Sequence, residues 1–222
     1  MFKKLWWGLV TFGFRLLYNE MAWTYDLVSW LVSLGEWRHW QRAALPFLLE
    51  APPGRLLEIA HGPGHMLLAL TASGRELHGC DLSPAMGRQA RRRLQAAKQP
   101  ARLSRCYVQD LPYAAAVFSG ILSTFPTNYI IDPATLQELH RVLMPGGRVV
   151  IVPEGHLTGR ASIHRFIAWL FRITGQQSAQ QAELARYWQA YSQPAVAAGF
   201  QISWHEVKRP RSSCTVLLLE KG

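Results

Sequence analysis

The chain has 222 residues, which at roughly 100–200 residues per domain means one domain with at most a short appendage. Its 49% hydrophobic content excludes wholesale disorder, and 24 Lys+Arg against 14 Asp+Glu leave a net charge of +10 with few charges overall. With nine tryptophans, that balance suits an anionic partner with an apolar part, a lipid headgroup better than a nucleic acid.

Behind Lys3 and Lys4, the run from Leu5 to Phe14 is half the ~20 residues that a bilayer span needs. No small-residue cleavage site follows it, so a signal peptide is not expected. On a helix, Lys4, Gly8, Thr11, Arg15 and Asn19 share one narrow stripe and the rest is apolar. Residues 1–18 are therefore predicted to form an amphipathic helix that lies in a membrane interface or docks on its own domain. The adjacent Trp6 and Trp7 beside two lysines favour the interface. Residues 1–50 read as a helical cap, ending before Ala51-Pro52-Pro53-Gly54, and residues 51–222 as the main domain.

Strand and helix signals then alternate, which predicts an α/β fold with a parallel sheet. Strands are expected at 55–60, 76–81, 103–108, 117–124 and 148–152. Helices are expected at 64–71, from Ser83-Pro84 to about 97, and from Asp132-Pro133 to the Pro145-Gly146-Gly147 turn. Residues 161–198 read as helices, and 200–207 with 214–220 as a closing hairpin. Cys80, Cys106 and Cys214 are odd in number, lack a CxxC and sit in apolar runs, so buried free thiols in a reducing cytosol are expected. No HExxH or Cys/His cluster occurs, and no metal site is expected.

The most informative stretch is Leu57-Glu58-Ile59-Ala60-His61-Gly62-Pro63-Gly64-His65. A turn from a buried strand into a helix needs glycines where a nucleotide-like ligand meets the backbone. Asp81 ends the next strand about 20 residues on, where a carboxylate accepts from ribose hydroxyls. Leu67 stands where a dinucleotide fingerprint needs a third glycine, and no GxxxxGK[ST] occurs, so phosphate cradling is disfavoured.

These features, with Leu143-Met144-Pro145-Gly146-Gly147-Arg148 before the fifth strand, resemble the class I S-adenosylmethionine-dependent methyltransferases over about residues 55–153. Within that superfamily, Tyr25-Asp26-Leu27, Ser33-Leu34-Gly35, then Arg38, Trp40 and Arg42, with Ala60 and the Leu111-Pro112-Tyr113 loop, look like the ubiquinone/menaquinone-biosynthesis methyltransferases. The resemblance implies a doubly wound, Rossmann-like sheet of seven strands and S-adenosyl-L-methionine as cofactor, leaving S-adenosyl-L-homocysteine. It implies that Glu58 anchors the turn near the methionine amino group and that Ala60, His61, Gly62 and Gly64 approach the cofactor. Asp81 would hold the ribose, Leu82 and Met86 would sandwich the adenine, and Thr124 would lie beside the methionine. Tyr25 would cover the cofactor, and Asp110, beside Leu111, would meet the adenine amino group if the loop is shortened. His61 replaces a small residue of that pattern, and His65 replaces an acid.

Seven Lys/Arg from Arg88 to Arg105 form a run without an acid between Asp81 and Asp110, readable as a solvated face, a membrane contact or an RNA contact. No [ND]-PP-[YF] loop and no Pro-Cys occur, so nucleic acid loses its best signatures. Ser162 to Ile173, with Arg165 and Arg172 on one face, belongs to the helices expected to cover the substrate. Tyr129 and His156 are the candidate bases for an acceptor that must lose a proton. The expected activity is methyl transfer to an amphiphile, a prenylated quinone precursor or phospholipid headgroup, at the cytoplasmic face of a membrane. The alternatives are a soluble small molecule or RNA as acceptor, or a membrane-bound adaptor that keeps the fold with weakened cofactor binding.

Overall fold

The computed structural model describes residues 24–158, 189 and 191–222. The predicted helix at 1–18 and the covering helices from 161 to 188 lie outside the described residues. Residues 191–197 are helical.

The strands carry unbroken apolar runs because both faces of the sheet are covered. Strand β4 (Phe118–Thr124) buries six of its seven residues, and β1 (Arg55–Ile59) four of five. In chain order β1 is followed by β2 (Leu77–Cys80), β3 (Leu103–Ser104), β4, β5 (Leu143–Val152), β6 (Gly155–Leu157), β7 (Phe200–Arg209) and β8 (Ser212–Lys221). The sheet runs β3-β2-β1-β4-β5-β8, with β7 on the outer side of β8. The first five strands are parallel, and β8 is antiparallel to both β5 and β7. Strand β6 continues the line of β5: Arg148–Ile151 pair with Glu220–Leu217, and Gly155–Leu157 with Cys214–Ser212. The eight strands therefore fill the seven positions expected, the fifth being broken after Val152.

Before the helical residues 191–197, the described residues form six α-helices: α1 (Tyr25–Ser33), α2 (Trp37–Arg42), α3 (Leu45–Leu49), α4 (His65–Leu70), α5 (Pro84–Ala96) and α6 (Pro133–Val142). Ser83 caps α5 by accepting from Met86 N, and Asp132 caps α6 by accepting from Ala134 N. Leu57, Ile59, Phe118 and Ile121 build one core with Leu136 and Leu139 of α6. Leu56, Leu122 and Val150 build the other with Trp40 of α2, Leu48 of α3 and Met66 of α4. Residues 37–49 thus cover the sheet directly.

Three expectations are corrected. The third strand stops at Ser104, and Arg105 instead turns its Nε to Leu82 O at 3.1 Å. The fifth strand begins at Leu143, because Phe118 pairs with Leu143 and Gly120 with Arg148, so that Pro145-Gly146-Gly147 bulge out of the ladder. Cys80 and Cys106 are joined as a disulfide with Cα atoms 6.2 Å apart, while Cys214 is free and buried, its thiol pushed up to about 11 by desolvation. Cysteine usage therefore no longer argues for a reducing compartment.

Gly155 lies under the buried Trp40, and a Cβ there would fall 2.3 Å from Trp40 Cδ2. Gly155→Ala is expected to cost about 1–3 kcal/mol by overpacking, read as a lower denaturant midpoint at unchanged m-value.

Candidate active site

The strand order reverses direction at β1, since the chain steps outward to β2 and β3 and returns on the other side as β4. Ligands of open α/β sheets bind at the carboxyl ends of the strands flanking such a switch point. Here those ends carry the Gly-rich turn, Asp81 and Thr124.

The turn is wound left-handed at three positions, Ala60 (φ 49°), Gly62 (φ 54°) and Gly64 (φ 81°). A side chain at Gly64 would run into Ala90 Cβ of α5 at 2.7 Å, so that glycine serves close packing of α4 on α5. Apart from its chain neighbours His61 and Pro63, a side chain at Gly62 would meet nothing within 4 Å. Ala60 holds a backbone conformation unusual outside glycine, a form of strain that clusters at ligand sites.

Asp81 fixes the turn from across the crevice. Its Oδ2 accepts from Gly62 N at 2.8 Å and its Oδ1 from Ser83 N at 2.8 Å. Glu58, at the end of β1, is buried and its Oε2 has no hydrogen-bond partner. Desolvation first, then repulsion from Asp81, push its carboxyl well above the usual range, against a stabilising Leu67 backbone bond. His61 donates from Nδ1 to Gly62 O at 2.7 Å, and its ring lies against Gly79. Thr124 Oγ1 accepts from Gln41 Nε2 at 3.0 Å, which ties α2 to the end of β4.

The adenine-side residues lie on two elements. Leu82 is exposed, whereas Met86 is buried beneath the N-terminus of α5. Asp110 is exposed and Leu111 buried in a loop clamped by α6: Leu111 N donates to Glu138 Oε1 at 2.8 Å, and Arg141 reaches Leu111 O and Tyr113 O. Tyr129 OH meets Ser123 Oγ at 3.2 Å. His156 pairs with Glu154 at 3.2 Å, a contact that raises its pKa and favours its protonated form. The side chain of Tyr25 lies outside what the structure describes.

Sequence reasoning missed a cluster that holds α1 to the turn. Asp26 Oδ1 meets His65 Nε2 at 2.6 Å, and Asp26 Oδ2 accepts from Arg93 at 3.1 Å, while Arg93 also donates to Pro63 O. The His65 bond, with Arg93 and Arg38 nearby, holds the Asp26 carboxyl below its ordinary value against desolvation. The available signal was Asp26 in the Tyr-Asp pair and a histidine where the family pattern has an acid. Arg93 was hidden inside a run that looked like surface charge. Of that run, Arg102 also pairs with Glu76, and it is exposed together with Arg88, Arg91, Arg92, Lys98 and Arg105. Among the described residues no group of three His, Cys, Asp or Glu is placed to hold a metal.

Burial pushes His61 below the ordinary histidine value of 6.5, partly offset by Asp81. As pH falls through 6.5, the unfolded chain therefore takes up a proton that folded His61 resists. Stability drops until the pH passes below the folded value. Unfolding curves between about pH 8 and 5 are expected to show a shallower loss for His61→Asn than for the wild type; an equal slope would remove His61 from the account.

Comparison with known proteins agrees with this geometry. Residues 56–147 match the family described as methyltransferase domain. The chain is 35% identical over 139 residues to demethylmenaquinone methyltransferase of Thermus thermophilus, covering 61% of this chain and 63% of that protein. It is 32% identical over 142 residues to the ubiquinone/menaquinone biosynthesis C-methyltransferase of Geotalea daltonii, covering 61% and 60%. The match thus spans about three fifths of these relatives. Among solved structures, geranyl diphosphate C-methyltransferase from Streptomyces coelicolor aligns with a TM-score of 0.59 at 15% identity, over 82% of this chain and 78% of that one. Phosphoethanolamine N-methyltransferase 2 of Haemonchus contortus aligns with a TM-score of 0.58 at 18% identity, over 84% and 53%. The chain is thus similar to a methyltransferase domain over residues 56–147, has a Rossmann-like methyltransferase fold, and resembles the ubiquinone/menaquinone-biosynthesis methyltransferases.

Proposed function

We propose that the protein is an S-adenosylmethionine-dependent methyltransferase whose acceptor is an amphiphile, a prenylated quinone precursor or phospholipid headgroup, reached from the cytoplasmic face of a membrane. The observation that carries the cofactor reading is the open left-handed turn at Gly62, held by Asp81 at the switch point of the sheet. The residues fit the group: space stands free over Gly62, and a buried Glu58 oxygen lacks a partner. Bound S-adenosylmethionine supplies a sulfonium methyl, electrophilic enough for direct in-line transfer.

In this reading Asp81 turns its remaining lone pairs to the ribose hydroxyls, and Glu58 and Thr124 lie at the methionine end. Leu82, Met86, Asp110 and Leu111 line the adenine side. The protein's main task is to orient the acceptor and keep water out. An acceptor that must lose a proton needs a base, and Tyr129, beside Ser123, and His156, whose pKa Glu154 raises, are the candidates. The quinone arm is supported by the relatives named for menaquinone and ubiquinone biosynthesis. No helix among the described residues is long and apolar enough to cross a membrane, so approach to lipid would be from the surface.

Two experiments test this. Isothermal calorimetry is expected to show S-adenosylmethionine binding that Gly62→Val abolishes; the left-handed backbone adds a strain of about 1–2 kcal/mol, so the variant's fold is checked by circular dichroism. Binding by the folded variant would make the turn merely structural. Labelled cofactor incubated with a total lipid extract is expected to yield a labelled lipid. For the first helix, Trp6→Glu/Trp7→Glu in the full chain is expected to weaken sedimentation with anionic vesicles, because each buried aromatic contributes roughly 1.5–3 kcal/mol. High salt should weaken the wild-type association without abolishing it.

A further inference from the structure

Helix α1 is amphipathic in the opposite sense from a helix that docks on a core. Its inward residues Asp26, Ser29 and Ser33 are polar, and Ser29 and Ser33 are buried. Ser33 Oγ donates to Ser29 O at 2.6 Å and accepts from Trp37 N at 3.0 Å, while Asp26 reaches His65 and Arg93. Leu27, Trp30 and Leu31, spaced i, i+3 and i+4, are exposed at 58, 59 and 51%, and Leu34, the left-handed residue that ends the helix, at 40%. A contiguous apolar stripe of this kind on a helix surface marks an interaction site.

The charge beside the stripe says what covers it. Helix α2 brings Arg38, His39 and Arg42 to the surface, and with Leu27 and Trp30 they line a notch of about 560 Å³ between α1 and α2. Of the acids of this corner, Glu36 is engaged by Arg209 and Ser212, and Asp26, which lines the notch, is bonded to His65 and Arg93. The notch is left cationic next to an apolar face.

We propose that the outward face of α1, with Arg38 and Arg42 of α2, docks on a lipid surface bearing anionic headgroups. The leucines and Trp30 enter the headgroup–acyl boundary while the two guanidiniums at the notch meet phosphates. The apolar stripe gives this surface affinity for any bilayer, and the arginines add preference for an anionic one. The proposal does not rest on methyl transfer and is read without cofactor.

The test is cosedimentation of the intact chain with vesicles of phosphatidylglycerol and phosphatidylcholine, and with vesicles of phosphatidylcholine alone. Leu27→Glu/Leu31→Glu is expected to lower partitioning onto the mixed vesicles by at least about tenfold at unchanged melting temperature, because both positions are half-exposed or more. Arg38→Gln/Arg42→Gln is expected to remove preference for the anionic vesicles while leaving binding to the neutral ones. Both pairs are repeated in the Trp6→Glu/Trp7→Glu background, so that the first helix cannot mask the result. Loss on Trp6→Glu/Trp7→Glu alone, with the α1 pair silent, would assign lipid binding to the first helix and overturn this proposal. A large fall in melting temperature of Leu27→Glu/Leu31→Glu would show that another segment of the chain covers the face. Conversion of a wild-type dimer to a monomer by that pair, in sedimentation equilibrium, would show a second copy there. Displacement from the mixed vesicles by millimolar inorganic phosphate, with Leu27→Glu/Leu31→Glu binding as the wild type, would assign the notch to a free anion. Each of these three results overturns the lipid reading.

Discussion

Both oxygens of Asp81 are taken by backbone N–H groups, from Gly62 at 2.8 Å and from Ser83 at 2.8 Å, and the crevice takes its shape from that. The first bond holds the turn after β1 in its left-handed course; the second holds the start of α5, which Ser83 then caps. Hydrogen bonds to a charged group contribute about 1.5–3 kcal/mol each, enough to offset strain at Ala60. Glu58 completes the arrangement from beneath. Burial and the Asp81 charge push its carboxyl upward, so Glu58 tends to its neutral form in the core. Removing the Asp81 charge would therefore relax Glu58 as well as the turn.

The cap helices are coupled to the same point. Gln41 bonds Thr124 at the end of β4, Trp37 stacks on Phe125 with ring centroids 3.8 Å apart, and Trp40 seats on Gly155. Phe125 is itself left-handed (φ 52°) and donates to Val152 O at 2.7 Å, so the residue after Thr124 is held from both sides. The cap is thus continuous with the second core and meets the crevice where the methionine end of a cofactor would lie.

The turn, the acid at 81 and the Ser83 and Asp132 caps were legible because each is a local pattern, a residue type at a fixed offset from a strand end. Pairing was not. Cys80 and Cys106 come together only because β2 and β3 are neighbours at the sheet edge, which neither apolar run reveals. Arg93 sits at i+1 from Arg92 on α5, and a helix turns consecutive residues about 100° apart; one faces water while the other reaches Asp26 and Pro63. The Leu-x-Pro-Gly-Gly stretch, read as a turn ahead of the fifth strand, joins that strand at Leu143, since Phe118 supplies a partner before the bulge. In each case the missing information is a contact across the chain.

The two faces of α1 show why such a contact matters for the reading of function. Read alone, Asp26-Leu27 through Ser33-Leu34 has a helical period without a sense of which side is inward. The Asp26–His65 and Asp26–Arg93 bonds supply that sense, because they pin the polar side to the Gly-rich turn. Once that side is fixed, geometry forces Leu27, Trp30, Leu31 and Leu34 outward, where water alone would leave them a liability. An acid at position 65 would repel Asp26 unless a cation bridged the two, whereas histidine meets it directly. The substitution that departs from the family pattern is therefore the one that seats this helix. Its polar side is anchored to the turn proposed for the cofactor and its apolar side faces the surface proposed for lipid. A short helix so placed would bring an amphiphile to the crevice without the acceptor leaving the membrane.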